Sequence, residues 1–154
     1  MIHLQKYKDK KEIIKCIELY ANYNDNNFIA VDRKKSALKL EEKILQNHFF
    51  FLIKDEEEIV GWVLAEQLKH PFSSHTFLQQ TFYMSNLNGI KSARAIVIVH
   101  EELIRIAELY KIDIVLTVGS FYDEKNVFTR ILEKKGWSRR GHTAIWKTSH
   151  YKDK

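Results

Sequence analysis

The chain has 154 residues, 45% hydrophobic and 29% charged, with one proline and five glycines; this is one domain's length with a core to bury, and it excludes collagen-like, linker-like and low-complexity chains. Twenty-five Lys and Arg against twenty Asp and Glu leave a formal charge of +5, which favours anionic partners (nucleic acid, acidic surfaces, phosphorylated cofactors) and fits equally a solvated lysine-rich surface. No apolar run nears the roughly 20 residues of a membrane helix, residues 1–6 lack a signal-peptide core, and the lone Cys16 has no partner for an internal disulfide, so a cytoplasmic domain without membrane attachment is expected.

Residues 2–6 read as a short first strand. Over 9–23, Ile13, Ile14, Ile17, Tyr20 and Ala21 recur at helical spacing with Lys and Glu opposite. A polar turn cluster at 22–27 leads to a second helix over 32–47, with Asp32 as N-cap and Ala37, Leu38, Ile44 and Leu45 inward. The period then changes. Residues 49–54 and 58–67 are apolar, β-branched or aromatic runs separated by Asp55-Glu56-Glu57, a hairpin signal. A turn at Pro71-Phe72-Ser73-Ser74 precedes a strand over 75–85, rich in Thr, Phe and Tyr. Asn86-Leu87-Asn88-Gly89 breaks it, and the longest helix is predicted over 92–110, apolar nearly all round from Ala93 to Val99 and so buried against a sheet. A strand over 112–118 ends at Gly119-Ser120. A helix over 123–135 turns Val127, Phe128, Ile131 and Leu132 inward and stops at Gly136 as C-cap. Residues 137–148 close the chain as a strand, bent or bulged at Gly141.

The sum is β-α-α-β-β-β-α-β-α-β over a single domain, 1–154. Antiparallel strands come first, then a strand-helix-strand crossover that needs parallel pairing. The predicted class is α/β, a mixed sheet with helices on both faces.

That order, with three local segments, resembles the GNAT superfamily of N-acetyltransferases over nearly the whole chain. Ile59-Val60-Gly61-Trp62-Val63 is similar to the family's third strand. Tyr83-Met84-Ser85, followed by Gly89 and the long helix, resembles the strand, pyrophosphate loop and helix that grip acetyl-CoA. Asn126 and then Ile131-Leu132-Glu133-Lys134-Lys135-Gly136-Trp137 resemble the family's last helix. The resemblance implies an enzyme that moves an acetyl group from acetyl-CoA to an amine of a small molecule or protein. It implies a backbone N–H of Tyr83 or Met84 at the oxyanion, and the loop and first helical turn (Gly89, Ile90, Lys91, Ser92, Ala93, Arg94) at the pyrophosphate. Asn126 would meet the pantetheine arm. The chain also departs from the family. Of the usual Q/R-x-x-G-x-G/A, residues 86–91 keep only Gly89, and residues 88–93 keep only Ala93. The tyrosine that often protonates the departing thiolate aligns with Leu132. A catalytically inactive GNAT-like binding module is therefore the alternative reading.

A helix N-terminus carries unpaired N–H groups and about half a positive charge, which suits phosphate. Lys91 and Arg94 in the first turn oppose that dipole by roughly 0.3–1 kcal/mol each, a penalty that a bound pyrophosphate reverses; without a ligand they extend into solvent. Glu66, inside a predicted strand, is the candidate base for an ammonium acceptor, or else an outward-facing strand charge. Gln79 and Gln80 stand where other members often carry a carboxylate. Tyr122 and Ser120 are candidate acids in place of the missing tyrosine, or caps of their turn.

No metal is expected, since His3, His48, His70, His75, His100, His142 and His150 have no ligand spacing and one cysteine cannot complete a zinc site. There is no Walker loop and no GxGxxG. Cys16 lies on an apolar helix face, as a core residue does. Lys6-Tyr7-Lys8-Asp9-Lys10-Lys11 fits a solvated helix start better than a nucleic-acid site. Trp137, Trp146 and Tyr151 on the last strand give two copies an apolar edge for pairing, so a homodimer is open. Acceptor specificity is expected in the first two helices and the 69–74 turn.

Overall fold

The computed structural model describes residues 1–24, 31–46, 49–69, 71–117, 127–138 and 149. In chain order the elements are β1 (Ile2–Lys6), α1 (Lys10–Asn24), α2 (Arg33–Leu45), β2 (Phe49–Asp55), β3 (Glu58–Lys69), β4 (Thr76–Ser85), α3 (Gly89–Leu109), β5 (Ile114–Thr117) and α4 (Val127–Lys134). They follow the predicted order through nine elements; the predicted last strand lies, from residue 139 on, outside the described residues.

Helix ends obey local backbone chemistry. Asp9 accepts from the N–H of Glu12 at 3.3 Å while the Glu12 side chain accepts from the N–H of Asp9 at 3.2 Å, a reciprocal capping box that opens α1. Asp32 caps α2 by accepting from Lys35 N–H at 2.9 Å. α4 stops in a Schellman turn: Gly136 takes φ +93°, its N–H bonds Glu133 O at 3.1 Å, and Trp137 N–H bonds Leu132 O at 3.1 Å. α3 ends in the same way around Lys111, whose φ is +56°. Its start differs from the expectation. The helix begins at Gly89 rather than 92, because its first turn is solvent-facing (Ile90 is 84% exposed) and carries no apolar period to read.

The sheet runs β1-β2-β3-β4-β5, antiparallel through β4, with β5 parallel to β4. One face carries Phe51, Ile53, Val63, Ala65 and Leu78 against Ala95, Val99, Leu103 and Ile106 of α3. The other carries Phe50, Leu52, Trp62, Leu64 and Met84 against Ile13, Cys16 and Ile17 of α1 and Leu40 of α2. Each fully buried aliphatic chain is worth about 1.5–3 kcal/mol, so both layers contribute substantially. Leu38, Leu45 and Val127 were expected inward and are instead 60%, 77% and 51% exposed. They sit just round the helix from Ala37, Ile44 and Phe128, which take the core positions. The start of β4 is tied to the start of β5 by Asp113, whose carboxylate accepts from Thr76 N–H at 2.9 Å and from Thr76 Oγ1 at 3.2 Å.

Candidate functional site at the fork between β4 and β5

The parallel register of β4 with β5 runs from Phe77↔Ile114 to Gln80↔Thr117. Thr81 is then an extra residue, for Ala65 of β3 faces Gln80 while Leu64 faces Phe82. A bulge of this kind bends its strand and increases the local twist, and residues 82–85 stay paired with β3 beyond the last described β4–β5 pair. Thr81 Oγ1 fixes the bend by donating to Leu64 O at 3.2 Å. The bond from Asn86 N–H to Val60 O, 2.9 Å, sets the phase of the ladder beyond it. In an antiparallel pair alternate residues bond the neighbour, so Phe82 and Met84 direct their backbone groups at β3. Tyr83 and Ser85 direct theirs to the other edge, which no described strand pairs beyond Gln80. Of the two oxyanion-donor candidates, Tyr83 is the one whose N–H faces the fork.

At the mouth of the fork, Asn88 is the N-cap of α3 and makes no side-chain capping bond. Gly89 has φ +56°, and nothing lies within 4 Å of where a side chain would begin. The first-turn N–H groups are therefore uncapped by any side chain among the described residues and approachable from solvent. Lys91 is solvent-exposed, and its ammonium is ion-paired with Asp55 at the β2–β3 turn. That hydrogen bond raises the lysine's pKa and holds the Asp55 carboxyl below the usual carboxylate range. Lys91 and Arg94 line an open cleft of about 650 Å³ with Asp55, Glu56 and Glu57, so the loop's cations face an acidic hairpin.

Behind the fork lies a buried polar relay. Thr117 Oγ1 and the Gln80 side chain are hydrogen-bonded, His100 Nε2 meets Thr117 Oγ1 at 3.1 Å, and His100 Nδ1 meets Ile96 O at 2.7 Å. Burial pushes the His100 pKa down to about 4, against a smaller opposing pull from the Ile96 carbonyl, so the ring is neutral. Ile96 O can only accept, which puts the proton on Nδ1 and makes Nε2 the acceptor. Thr117 has one hydroxyl proton, so a neutral His100 requires the Gln80 amide to turn its nitrogen toward Thr117. The relay ties α3, β4 and β5 together at the last described β4–β5 pair.

Tyr83 projects its side chain to the α3 side, against the cluster of Ile96, Phe128 and Leu132. Its ring lies 5.4 Å from that of Phe128 and 6.4 Å from His100. The hydroxyl is buried and makes no hydrogen bond of ordinary geometry among the described residues, with the Ser85 side chain as a polar neighbour; burial raises its pKa to about 12, opposed more weakly by Ser85. Leu132, at the aligned tyrosine position, is 2% exposed in the same cluster.

Glu66 is not an outward-facing strand charge. It is 8% exposed, on the α2 face opposite Gln79, and ion-paired with Lys43. Ser120, Tyr122 and Asn126 lie outside the described residues, as do Trp146 and Tyr151. Trp137 packs edge-on to His100 at 5.3 Å, a core contact of α3 and α4. Cys16 is fully buried, and desolvation lifts its thiol pKa to about 12. The expected result is no reaction of the native protein with an aromatic disulfide reagent at pH 8, and one thiol released in guanidinium; rapid native labelling would contradict the packing of α1. Among the described residues no His, Cys, Asp and Glu side chains group to hold a metal, and no helix is long and apolar enough to cross a membrane.

The relay, the bulged strand and the bare helix start stand within one architecture that solved structures share. No family model and no curated protein matches the sequence. A predicted acetyltransferase from Clostridium acetobutylicum, solved with acetyl-CoA, is 14% identical with a TM-score of 0.65, each chain covered to 96%. Glucosamine-6-phosphate N-acetyltransferase from Arabidopsis thaliana is 13% identical with a TM-score of 0.67, covering 96% of this chain and 98% of that one. An aminoglycoside acetyltransferase from an uncultured soil metagenomic sample, in complex with sisomicin, is 15% identical with a TM-score of 0.66 over 97% and 96%. The chain has the GNAT acetyltransferase fold. At these identities it is the architecture, not the reaction, that is held in common.

Proposed function

We propose that the protein is an acyl-CoA-dependent N-acyltransferase that moves an acetyl group from acetyl-CoA to an amine of a small molecule or protein. The bulged strand carries this reading: β4, bulged at Thr81, turns the Tyr83 N–H toward an edge that no described strand pairs, ahead of a start of α3 whose N-cap side chain makes no capping bond. Two features fit the cofactor. Open space stands at Gly89, and Asn88 leaves the first-turn N–H groups uncapped. Acetyl-CoA would supply an activated thioester.

The N–H groups of Gly89, Ile90 and Lys91 would hold its pyrophosphate, with Ser92, Ala93 and Arg94 completing the turn. Tyr83 N–H, preorganised by the β3 ladder on either side, offers its hydrogen bond where negative charge grows on the acyl oxygen. One such donor is worth about 3–4 kcal/mol in a site that excludes water. Glu66 takes the proton of an ammonium acceptor, directly or through water, which brings the acceptor in from the α1–α2 side. Asn126 is assigned to the pantetheine arm by the resemblance alone.

Calorimetry with acetyl-CoA tests the reading, and no binding at millimolar cofactor would leave only a binding module with this fold. Lys91→Ala with Arg94→Ala is expected to weaken acetyl-CoA about tenfold, through lost charge-assisted contacts to the pyrophosphate. Asp55→Ala, which releases Lys91, is expected to tighten it; the same affinity in all three proteins would misplace the site.

A further inference from the structure

We infer that the acceptor is a primary amine on an apolar chain, laid along the α1–α2 face of β3, β4 and β5, an inference that rests on the acyl-transfer reading above. Leu78 and Val115 are paired in the β4–β5 register and belong to the α3 layer. Side chains alternate along a strand, so Phe77 with Ile114, and Gln79 with Leu116, turn to the opposite face. β3 extends both pairs, with Leu68 facing Phe77 and Glu66 facing Gln79. Two rows therefore cross the three strands: Glu66–Gln79–Leu116, and beyond it Leu68–Phe77–Ile114. The first row stands one residue before Gln80↔Thr117, the end at which Tyr83 N–H meets the unpaired edge.

The α1–α2 layer buries Trp62 and Leu64 on this face but leaves the two rows part-open: Leu68, Ile114 and Leu116 are 40%, 37% and 40% exposed. Glu66 commits that surface to one kind of guest. It is 8% exposed and holds the ammonium of Lys43, itself a primary amine on a four-carbon stem, which arrives from α2. Lys43 thus displays the chemistry that the carboxylate accepts. Of the six side chains in the rows only Glu66 ionises. A phosphorylated or carboxylated acceptor finds no counter-charge on the strands, and a polyamine finds a single carboxylate. The rows lie two residues apart, about 7 Å, so a chain with its nitrogen at Glu66 covers both with about five or six carbons. Each methylene withdrawn from water there strengthens binding about fourfold. In the transfer, nitrogen bonds the acyl carbon and the carbon–sulfur bond breaks with its electron pair on sulfur. Of the three ammonium protons one stays in the amide, one ends on the thiol, and one leaves through Glu66 or water.

The test gives the full chain acetyl-CoA with hexylamine, ethylamine, 6-aminohexanoate and a capped lysine, and follows thiol release. The expected kcat/KM for hexylamine exceeds that for ethylamine by about fifteenfold, from four methylenes each half-withdrawn from water. The other two amines, polar where the tail meets the second row, are used no better than ethylamine. In Ile114→Thr with Leu116→Thr, which keeps strand-forming residues at part-exposed positions, the hexyl advantage falls below about threefold. Calorimetry with the amines alone reads the same surface without turnover, and the same ratios are expected there. Equal use of hexylamine and ethylamine, a preference for 6-aminohexanoate or the capped lysine, or an undiminished ratio in the double variant would overturn the inference and leave acyl transfer standing. Chain-length-dependent amine binding with no thiol released from acetyl-CoA would do the reverse, keeping the amine site and removing the transferase.

Discussion

Gly61→Ala is expected to destabilise the fold by about 3 kcal/mol or more, the upper end of what overpacking costs. A Cβ at this position would stand 2.2 Å from Met84 O and 2.8 Å from Ser85 Cα. Both are backbone atoms of the neighbouring strand, so no rotamer change relieves the clash. β3 and β4 must part where β4 delivers the chain to the start of α3. Urea denaturation checks the first effect, as a lower midpoint with little change in slope. A variant as stable as the native protein would mean that the two strands do not approach this closely.

The second large effect is acid sensitivity centred on His100. The ring is 1% exposed and neutral, with its pKa pushed down to about 4, while the unfolded chain titrates at the ordinary 6.5. Between those values the unfolded state binds the extra proton, so stability rises with pH across that window. The contribution is fully present above pH 6.5 and is lost as pH falls toward 4, on the order of 3 kcal/mol in all. Unfolding free energies measured at pH 7 and pH 4.5 should show most of this loss. His100→Gln, which keeps a group able to reach Thr117, should be less stable at pH 7 and should flatten the dependence. An equally steep slope in the variant would place the titrating group elsewhere.

Much of the architecture was legible in the sequence because its signals are local. Asp9 and Asp32 announce their helices, Asp55-Glu56-Glu57 its hairpin, and Gly136 its Schellman turn, each within a few residues of the chain. The start of α3 was misread because Ile90 and Lys91 face water and carry no period. The site was legible only in part, because its geometry depends on distant pairings. Nothing in the spacing marks Thr81 as surplus, since the bulge exists only against Leu64 and Ala65. Without it Tyr83 would be assigned to the wrong layer. Asp55 as the partner of Lys91, and Lys43 as the partner of Glu66, are meetings across 36 and 23 residues. The relay did have a clue: Gln80 and His100 are polar residues inside otherwise apolar stretches, and a buried polar group needs partners.

The Asp113 bridge at the start of β4 and β5 has a mechanical consequence. The two strands are clamped at one end by that carboxylate and at the other by the Gln80–Thr117–His100 relay. Between these clamps the pair behaves as a single stiff stem. A guest entering above it cannot pry the strands apart from below, and on the β4 side the flexing falls on the prong beyond Thr81. Strain from a bulky guest is thereby confined to a few residues and kept out of the core that holds the molecule together.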